Sequence, residues 1–517
     1  MDSALIIGSG IAGIATALRL RKKGFQVDVF EAADKPGGKI GQIKEKGYRW
    51  DSGPSLFTMP HFVDELFELF GENPRDHFNY EKKTTVCNYF WEDGTFFSAD
   101  GELDLFIKNA SEQFDVSEET LEKYFQNSAL KYRLTAPLFI ENSLHKRSTF
   151  KNRNALAALK KFNRLDLFKS LNQVNRSYFK DPKLVQLFNR FATYNGSSPY
   201  ACPGILSMIP TLEMQFGTYF PKGGMRSIVE SLYELALRKG VKFHFNEKVL
   251  KIEVKNGLAK GIKTEKGTYQ ADAVISNMDI YPTYRNLLKN QAAPEKTLNQ
   301  ERSSSALIFY WGVKKTFPTL DLHNIFFSED YQAEFKALFK SKTLPEDPTI
   351  YLNISAKNQA SDAPENAENW FVMVNAPANI GQDWEEITRR AKAKIMAKLN
   401  SILGVSLENL IEVESVFDPV MIENTSGSYQ GSLYGTSSNT KMAAFMRHAN
   451  FSKKIKKLYF CGGSVHPGGG IPLCLQSAKI TADLIPITNI IQSLRSTVYI
   501  QYRHLPLLTL KNNGTDL

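Results

Sequence analysis

Two glycine-rich stretches in this 517-residue chain could do chemistry, and they lie at opposite ends of it. Near the start, Gly8-Ser9-Gly10-Ile11-Ala12-Gly13 has the GxGxxG spacing, and an acid, Glu31, closes the element after next. Near the end, Tyr459 to Leu473 reads YFCGGSVHPGGGIPL, five glycines and one histidine within fifteen residues. Glycine loops are costly in backbone entropy, so such runs mark places where something approaches the backbone closely. In the first stretch Gly8 makes a tight turn, Gly10 lets the backbone reach a pyrophosphate, and Gly13 lets helix and strand pack. Ile11, Ala12 and Gly13 open a helix whose unpaired N–H groups and partial positive charge suit phosphate. Glu31 can accept hydrogen bonds from both ribose hydroxyls and would repel a 2′-phosphate, which points to a dinucleotide other than NADP.

The elements needed to position these groups are legible. A strand, Ala4 to Ile7, enters the first glycine turn, and a helix leaves it through Lys23. Gly24 stops that helix, and a second strand, Phe25 to Phe30, delivers Glu31, which is the context the motif requires. At the other end Tyr459-Phe460-Cys461 reads as a strand and Gly462-Gly463 as a turn; Pro472 then opens a helix running to Leu484. Between them, Ile228, Leu232 and Leu235 have helical spacing, Val241 to Phe245 forms a strand, and two further strands flank the turn Asn256-Gly257. Ala273 to Asn277 returns to the core. One domain is therefore expected from three pieces, 1–115, 212–280 and 410–490. The insertions 116–211, which look helical, and 281–409, with strands at Ala306–Trp311 and Trp370–Asn375, would form a second domain, and 491–517 a tail.

Composition bounds the setting. The chain is 42% hydrophobic, enough for two or three domains. Its first residues lack the pattern of a signal peptide, and no apolar run approaches the roughly eighteen residues of a membrane span. Four scattered cysteines suit a reducing cytoplasm and argue against zinc or a disulfide framework. The charge is unevenly spread. Lys131 to Lys180 holds twelve Lys or Arg against Glu141 and Asp166, as large an excess as the +10 of the entire chain. Aromatic residues from Tyr132 to Phe179 are interleaved with them, which suits a nucleic acid, an anionic membrane surface, or simply a solvated helical face.

Just beyond Glu31 come Asp34-Lys35-Pro36-Gly37-Gly38-Lys39 and Trp50-Asp51-Ser52-Gly53-Pro54, a second glycine turn for which an NAD dehydrogenase has no use. This resembles the flavoprotein superfamily of amine oxidases and carotenoid desaturases, in which an acid and Gly-Gly-Arg contact FAD; here Lys39 supplies the charge without arginine's fork. Phe220-Pro221-Lys222-Gly223-Gly224, Ser276-Asn277-Met278-Asp279 and the His466-Pro467-Gly468 loop follow in the order seen in bacterial carotenoid desaturases of the phytoene-desaturase type. The resemblance spans nearly the whole chain, but it is poor over 131–180 and 330–365.

That resemblance implies an α/β fold: a Rossmann-type FAD domain, like those of glutathione reductase and amine oxidases, with an inserted mixed α+β substrate domain. It implies FAD contacts at Gly8, Gly10, Ile11, Ala12, Gly13, Glu31, Gly37, Gly38, Lys39, Gly53, Pro54, Val249, Gly462, Gly463, Gly469, Gly470 and Ile471, and no metal. The C-terminal glycine loop would cover the ribityl and isoalloxazine, with the helix at Pro472 favouring negative charge on the reduced ring. His466 would touch flavin or substrate, or only bond the loop backbone.

The expected reaction takes a hydride and a proton from adjacent carbons of a carotenoid. No second GxGxxG offers an NAD(P)H domain, so electrons would leave to oxygen or a membrane quinone. The Gly463–Gly468 loop and Tyr194-Asn195-Gly196-Ser197-Ser198-Pro199-Tyr200 look most like the branch that desaturates 1-hydroxylated carotenoids at the 3,4 bond. Hydroxyls of Tyr194, Ser197, Ser198 or Tyr200 would meet the substrate hydroxyl, or simply build a turn. The alternatives are a phytoene desaturase, an FAD amine oxidase, and a redox-silent prenyl-lipid binder, which the retained covering loop disfavours. An insoluble substrate implies a cytoplasmic protein resting on the inner face of the cell membrane, docked on anionic lipids through Lys131–Lys180 and secondarily Val498–Leu505, with no nucleic-acid partner.

Overall fold

The chain is described from a computed structural model that covers residues 1–151, 153–440 and 442–487. The proposed tail, 491–517, and the segment Val498–Leu505 lie outside the described residues.

A five-stranded parallel sheet forms the first layer, in the order Lys242–His244, Gln26–Phe30, Ser3–Ile7, Ala273–Ser276, Leu458–Phe460. Its centre is the Ala4-Leu5-Ile6-Ile7 run, buried on both faces as a parallel strand must be. Ile6 stands between Val29 on one neighbour and Ile275 on the other. Helices Ile11–Lys22, Arg226–Arg238 and Ile471–Leu484 contribute Ile14, Leu18, Ile228, Leu232, Leu235, Leu475 and Ala478 to one core on one face of this sheet. Lys23 Nζ donates to the carbonyls of Ala482 at 2.6 Å and Ile485 at 2.9 Å, so the N-terminal unit caps the C-terminal helix. Apolar residues of the antiparallel strands Val249–Lys255 and Leu258–Thr264 pack with Leu5, Ile7 and Val274 in a second core. Asn256 and Gly257 both have positive φ in the turn between these strands, as the two-residue hairpin requires.

The second sheet has seven strands, in the order Ile411–Phe417, Ser305–Val313, Glu368–Ala376, Ile350–Ile354, His323–Phe326, Thr85–Phe90, Phe96–Asp100. The two strands expected in the second insertion pair antiparallel at its centre, with Ala306 opposite Asn375 and Trp311 opposite Trp370. The domain boundaries differ from expectation. Residues 85–115 and 411–417, assigned by sequence to the dinucleotide domain, supply outer strands of this second sheet and the helix Leu103–Gln113 beside it. Val86, Tyr89, Phe97 and Phe106 belong to the second domain's core. An alternating strand records that one face is buried, not which sheet it joins.

Residues 116–211 are helical, as expected. Ser117 caps Glu118–Thr135, Ser170 and Gln173 form a capping box on Leu171–Tyr178, and Asp181 caps Pro182–Asn189.

Candidate active site

The two glycine stretches meet at one side chain. Asn277, immediately after the strand Ala273–Ser276, reaches the carbonyl of Gly8 with its Nδ2 at 3.4 Å. A Cβ on Gly10 would stand 2.8 Å from that Nδ2, one on Gly462 would stand 2.9 Å from Asn277 Oδ1, and one on Gly13 would stand 2.2 Å from the Gly8 carbonyl oxygen. Gly10 is the N-cap of the first helix, with no side-chain hydrogen bond and no acid in the first turn, so the N–H groups of Ile11, Ala12 and Gly13 meet no anionic side chain there. The Glu31 carboxylate accepts from Ser9 N and Ser9 Oγ, each at 2.8 Å, and from Ala33 N at 3.0 Å. It therefore rests against the glycine loop with acceptor capacity to spare. Val249, buried, begins the antiparallel hairpin two residues after Glu247, whose N–H donates to the Glu31 carbonyl.

Residues 36–40 and 51–56 pack together beside this turn. Gly37 bridges Gly10, and Gly38 lies in the left-handed region, where its Cβ would fall 3.4 Å from Gly10 Cα. Arg226 holds this loop by donating to the carbonyls of Pro36 at 2.5 Å and Ile40 at 2.9 Å. Asp51 accepts from the N–H groups of Met225 and Arg226, which ties the 51–56 run to the start of the helix Arg226–Arg238. Gly53, at positive φ, passes so close to Lys39 that a Cβ would stand 1.9 Å from the Lys39 carbonyl oxygen; Pro54 and Ser55 follow it, half-exposed. Lys39 crosses to the far wall, donating to the carbonyls of Ser432 at 3.2 Å and Leu433 at 2.9 Å. It is accessible, yet burial still lowers its pKa against the pull of Asp279 and Cys474.

The C-terminal loop is pinned from behind. Arg447, buried, donates to the carbonyls of Tyr434 at 2.9 Å, Thr436 at 2.8 Å and Gly463 at 3.3 Å. Asn450 and Ser477 both donate to the His466 carbonyl, at 2.8 and 2.9 Å. Gly469 packs on Tyr434, whereas a Cβ on Gly470 would enter open space. Ile471, buried, starts the last helix. His466 has no exposed surface: Nε2 lies 2.9 Å from the Asn142 carbonyl, and the ring packs edge-on against Phe139 and His145. Burial holds its pKa down to about 4, so it is a neutral packing group bonded to backbone.

The second domain closes the space. Tyr351 Oη lies 2.8 Å from both Ser55 Oγ and His323 Nδ1. Tyr351 and Tyr434 are half-buried by surface, but burial raises both phenols. The motif Tyr194–Tyr200 does reach this region: the Gly196 carbonyl accepts from Ser304 N, and Gly196 is packed against Ser303 and Tyr434. Its hydroxyls are largely engaged, however. Ser197 Oγ accepts from Ser438 N at 2.8 Å, Ser198 Oγ accepts from Tyr200 N at 3.3 Å, and Tyr194 donates to Glu213. Glu213 is also ion-paired with buried Arg190, which donates to Tyr89 at 2.8 Å. Tyr200 packs on Phe335, and burial raises its phenol to about 12. Arg190, Glu213, Arg226, Arg447 and Asn450 had no motif to announce them; only unlike neighbours brought together by the fold reveal their roles.

A helix N-cap without a side chain, three close-passing glycines at Asn277, an acid poised at the glycine turn and open space at Gly470 fit an extended adenine–flavin dinucleotide. The fold and site define an FAD-dependent flavoprotein oxidoreductase. The chain belongs to the flavin containing amine oxidoreductase family, whose pattern matches residues 11–486. It is 58% identical over 489 residues to a 1-hydroxycarotenoid 3,4-desaturase from Flavobacterium sp. (strain P99-3), covering 95% of this chain and 100% of that protein. It is 30% identical to a phytoene desaturase from Fusarium fujikuroi, covering 93% of this chain and 89% of the other. An oxidoreductase from Methanosarcina mazei superimposes with a TM-score of 0.61 at 16% identity, over 92% of this chain and 98% of that one, a likeness of fold alone.

Proposed function

We propose that this enzyme introduces the 3,4 double bond into an acyclic carotenoid carrying a terminal 1-hydroxyl group. The observation that carries this is the convergence of the two glycine stretches on Asn277, with Lys39 bonded across to the carbonyls of Ser432 and Leu433, next to Tyr434 on which Gly469 packs. A flavin held by these loops would present its ring to a substrate lying against the second sheet. Identity of 58% to a 1-hydroxycarotenoid 3,4-desaturase along its full length supports the choice of substrate.

FAD, when bound, supplies the hydride acceptor at this site and returns two electrons to oxygen or a membrane quinone. The chain's own residues do the rest. The Gly8–Gly13 turn and the first helix would hold the pyrophosphate, Glu31 the ribose, Gly37-Gly38 and Gly53-Pro54 the central part, and Gly462-Gly463 with Gly469–Ile471 the ring end. Positioning of the substrate against the ring provides most of the rate. His466, Ser197 and Ser198 serve as loop-building groups in this reading.

A host that makes 1-hydroxylated γ-carotene or lycopene should gain one terminal double bond when given this chain. A host that makes only phytoene should accumulate it unchanged; its conversion to lycopene would move the assignment to phytoene desaturation.

The enzyme would meet its substrate at a membrane. Among the described residues no helix is long and apolar enough to cross one. The basic segment has an exposed apolar face instead: Phe150 is 51% exposed, Leu156 54%, Leu159 69% and Phe168 70%, among exposed Lys151, Arg153, Lys160, Lys161 and Arg164. The docking face is narrower than the sequence suggested, because Lys131 and Phe179 are buried. Lys131 pairs with Asp166 of the face at 2.7 Å, and its neighbour Tyr132 lines an aromatic groove of about 430 Å³ with Tyr80, Phe216 and Tyr219. That groove would receive substrate from the bilayer. Binding to anionic liposomes should weaken with salt, and Leu159→Ser with Phe168→Ser should weaken it at every salt concentration. Equal binding to neutral vesicles throughout would remove the electrostatic part.

A further inference from the structure

The hydroxyls that the sequence singled out, on Ser197 and Ser198, are committed to backbone N–H groups, and Tyr194 donates to Glu213. A different polar chain is better placed. In the reaction proposed above, on which this inference rests, the hydroxyl-bearing C1 is separated from C3 by a single carbon. The group that reads the hydroxyl must then lie near the reacting bond, beside the FAD rather than far along the polyene.

Ser55 stands two residues after Gly53, in the half-exposed run that passes Lys39. Its Oγ is 2.8 Å from Tyr351 Oη, which is 2.8 Å from His323 Nδ1. Asn353 Nδ2 also reaches that Nδ1, at 3.2 Å, and donates to the Leu322 carbonyl at 2.9 Å. With an amide N–H directed at it, Nδ1 is an acceptor, and the imidazole is neutral: burial, with Arg190 and Lys83 nearby, takes its pKa down to about 3. Tyr351 therefore donates to His323, and its own oxygen is left to accept from Ser55. Ser55 in turn keeps a lone pair free. The direction of the whole chain is set from its buried end, and its open end can only accept.

We infer that Ser55 and Tyr351, oriented by His323, accept the hydrogen bond of the substrate's 1-hydroxyl and make the enzyme specific for hydroxylated carotenoids. A substrate lacking the hydroxyl would leave the Ser55 oxygen desolvated and unpaired, which is how a hydroxyl-reading site rejects its analogue. Ser55 and Tyr351 are specificity residues; His323 is a positioning residue.

The test is a competition in the same liposomes between a 1-hydroxylated acyclic carotenoid and the same carotenoid without the hydroxyl. Wild type, Tyr351→Phe and Ser55→Ala are compared, with flavin content measured in each. The expected result is at least about a tenfold fall in the preference for the hydroxylated substrate in both variants. Flavin occupancy should stay unchanged. A preference retained in both flavin-replete variants overturns the inference, as does an equal loss on both substrates. If Tyr351→Phe loses flavin, Ser55→Ala alone decides. A wild type that shows no preference defeats the proposed substrate itself, a result distinct from variants that keep one.

Discussion

Lys39 Nζ lies 2.9 Å from the Leu433 carbonyl oxygen, a hydrogen bond spanning 394 residues that ties the N-terminal glycine loops to the wall behind the C-terminal one. In the flavoprotein pattern an arginine stands at this position. Here a lysine reaches across the groove and bonds two consecutive carbonyls, Ser432 and Leu433. Removing a charged donor of this kind costs about 1.5–3 kcal/mol. Lys39→Met should weaken FAD binding roughly 10- to 100-fold, read by titrating apoprotein with FAD and following flavin fluorescence. Lys39→Met with wild-type affinity would show that the two walls are held together elsewhere.

A side chain at Gly10 or Gly13 would collide with a neighbour, but not with the same kind of neighbour. A Cβ would stand 2.8 Å from Asn277 Nδ2 at Gly10 and 2.2 Å from the Gly8 carbonyl at Gly13. The asparagine side chain can shift and the carbonyl cannot. Gly13→Ala should therefore destabilise the fold, whereas Gly10→Val should fold but carry no flavin. Glu31→Ala should retain a reduced flavin fraction, because Ser9 and Ala33 lose their acceptor along with the ribose. The ratio of flavin to protein absorbance in purified samples measures all three. Full flavin in Gly10→Val would sink the assignment of this loop.

Arg190 and Glu213 are a buried pair, 7% and 1% exposed. Breaking such a pair from one side leaves an uncompensated charge and costs about 3–5 kcal/mol, whereas replacing both by apolar groups is often neutral. Glu213→Leu should lower the urea midpoint markedly, and Arg190→Met combined with Glu213→Leu should recover most of it. A double variant as unstable as the single would mean that Tyr89 and Tyr194, left without partners, dominate.

Three buried histidines predict how stability varies with pH. Burial depresses His323 to about 3 and His448 and His466 to about 4, from an ordinary value of 6.5. Each is neutral in the folded protein but takes up a proton when unfolded below its ordinary pKa. Their contribution is complete above pH 6.5 and is lost as pH falls from there towards 4, and towards 3 for His323. At about 1.4 kcal/mol per pK unit, the loss is a few kcal/mol per histidine. Denaturant midpoints at pH 7.5 and pH 5 should differ accordingly, and His466→Asn should flatten the slope. An unchanged midpoint at pH 5 would show that these rings are already protonated in the fold.

Local geometry was legible wherever backbone conformation alone dictated residue type. Gly8, Gly24, Gly37, Gly38, Gly53, Gly257, Gly462 and Gly470 all have positive φ, and the strands and helices they separate lie where hydrophobic period and turn residues placed them. The parallel sheet follows from those local constraints taken in order, and the family and cofactor from the resemblance of the ordered motifs to the flavoprotein superfamily. The sequence did not reveal which strands share a sheet, because Thr85–Phe90 and Ile411–Phe417 satisfy the same alternation in either domain. Nor did it identify the working hydroxyls. Ser197 and Ser198 look available in the sequence, but the fold uses them to bond Ser438 and Tyr200, whereas Ser55, Tyr351 and His323 have no common motif. A side chain's chemistry is written in its own residue, but whether that chemistry is free is decided by partners up to hundreds of positions away, and only the tertiary structure brings those partners within hydrogen-bonding reach.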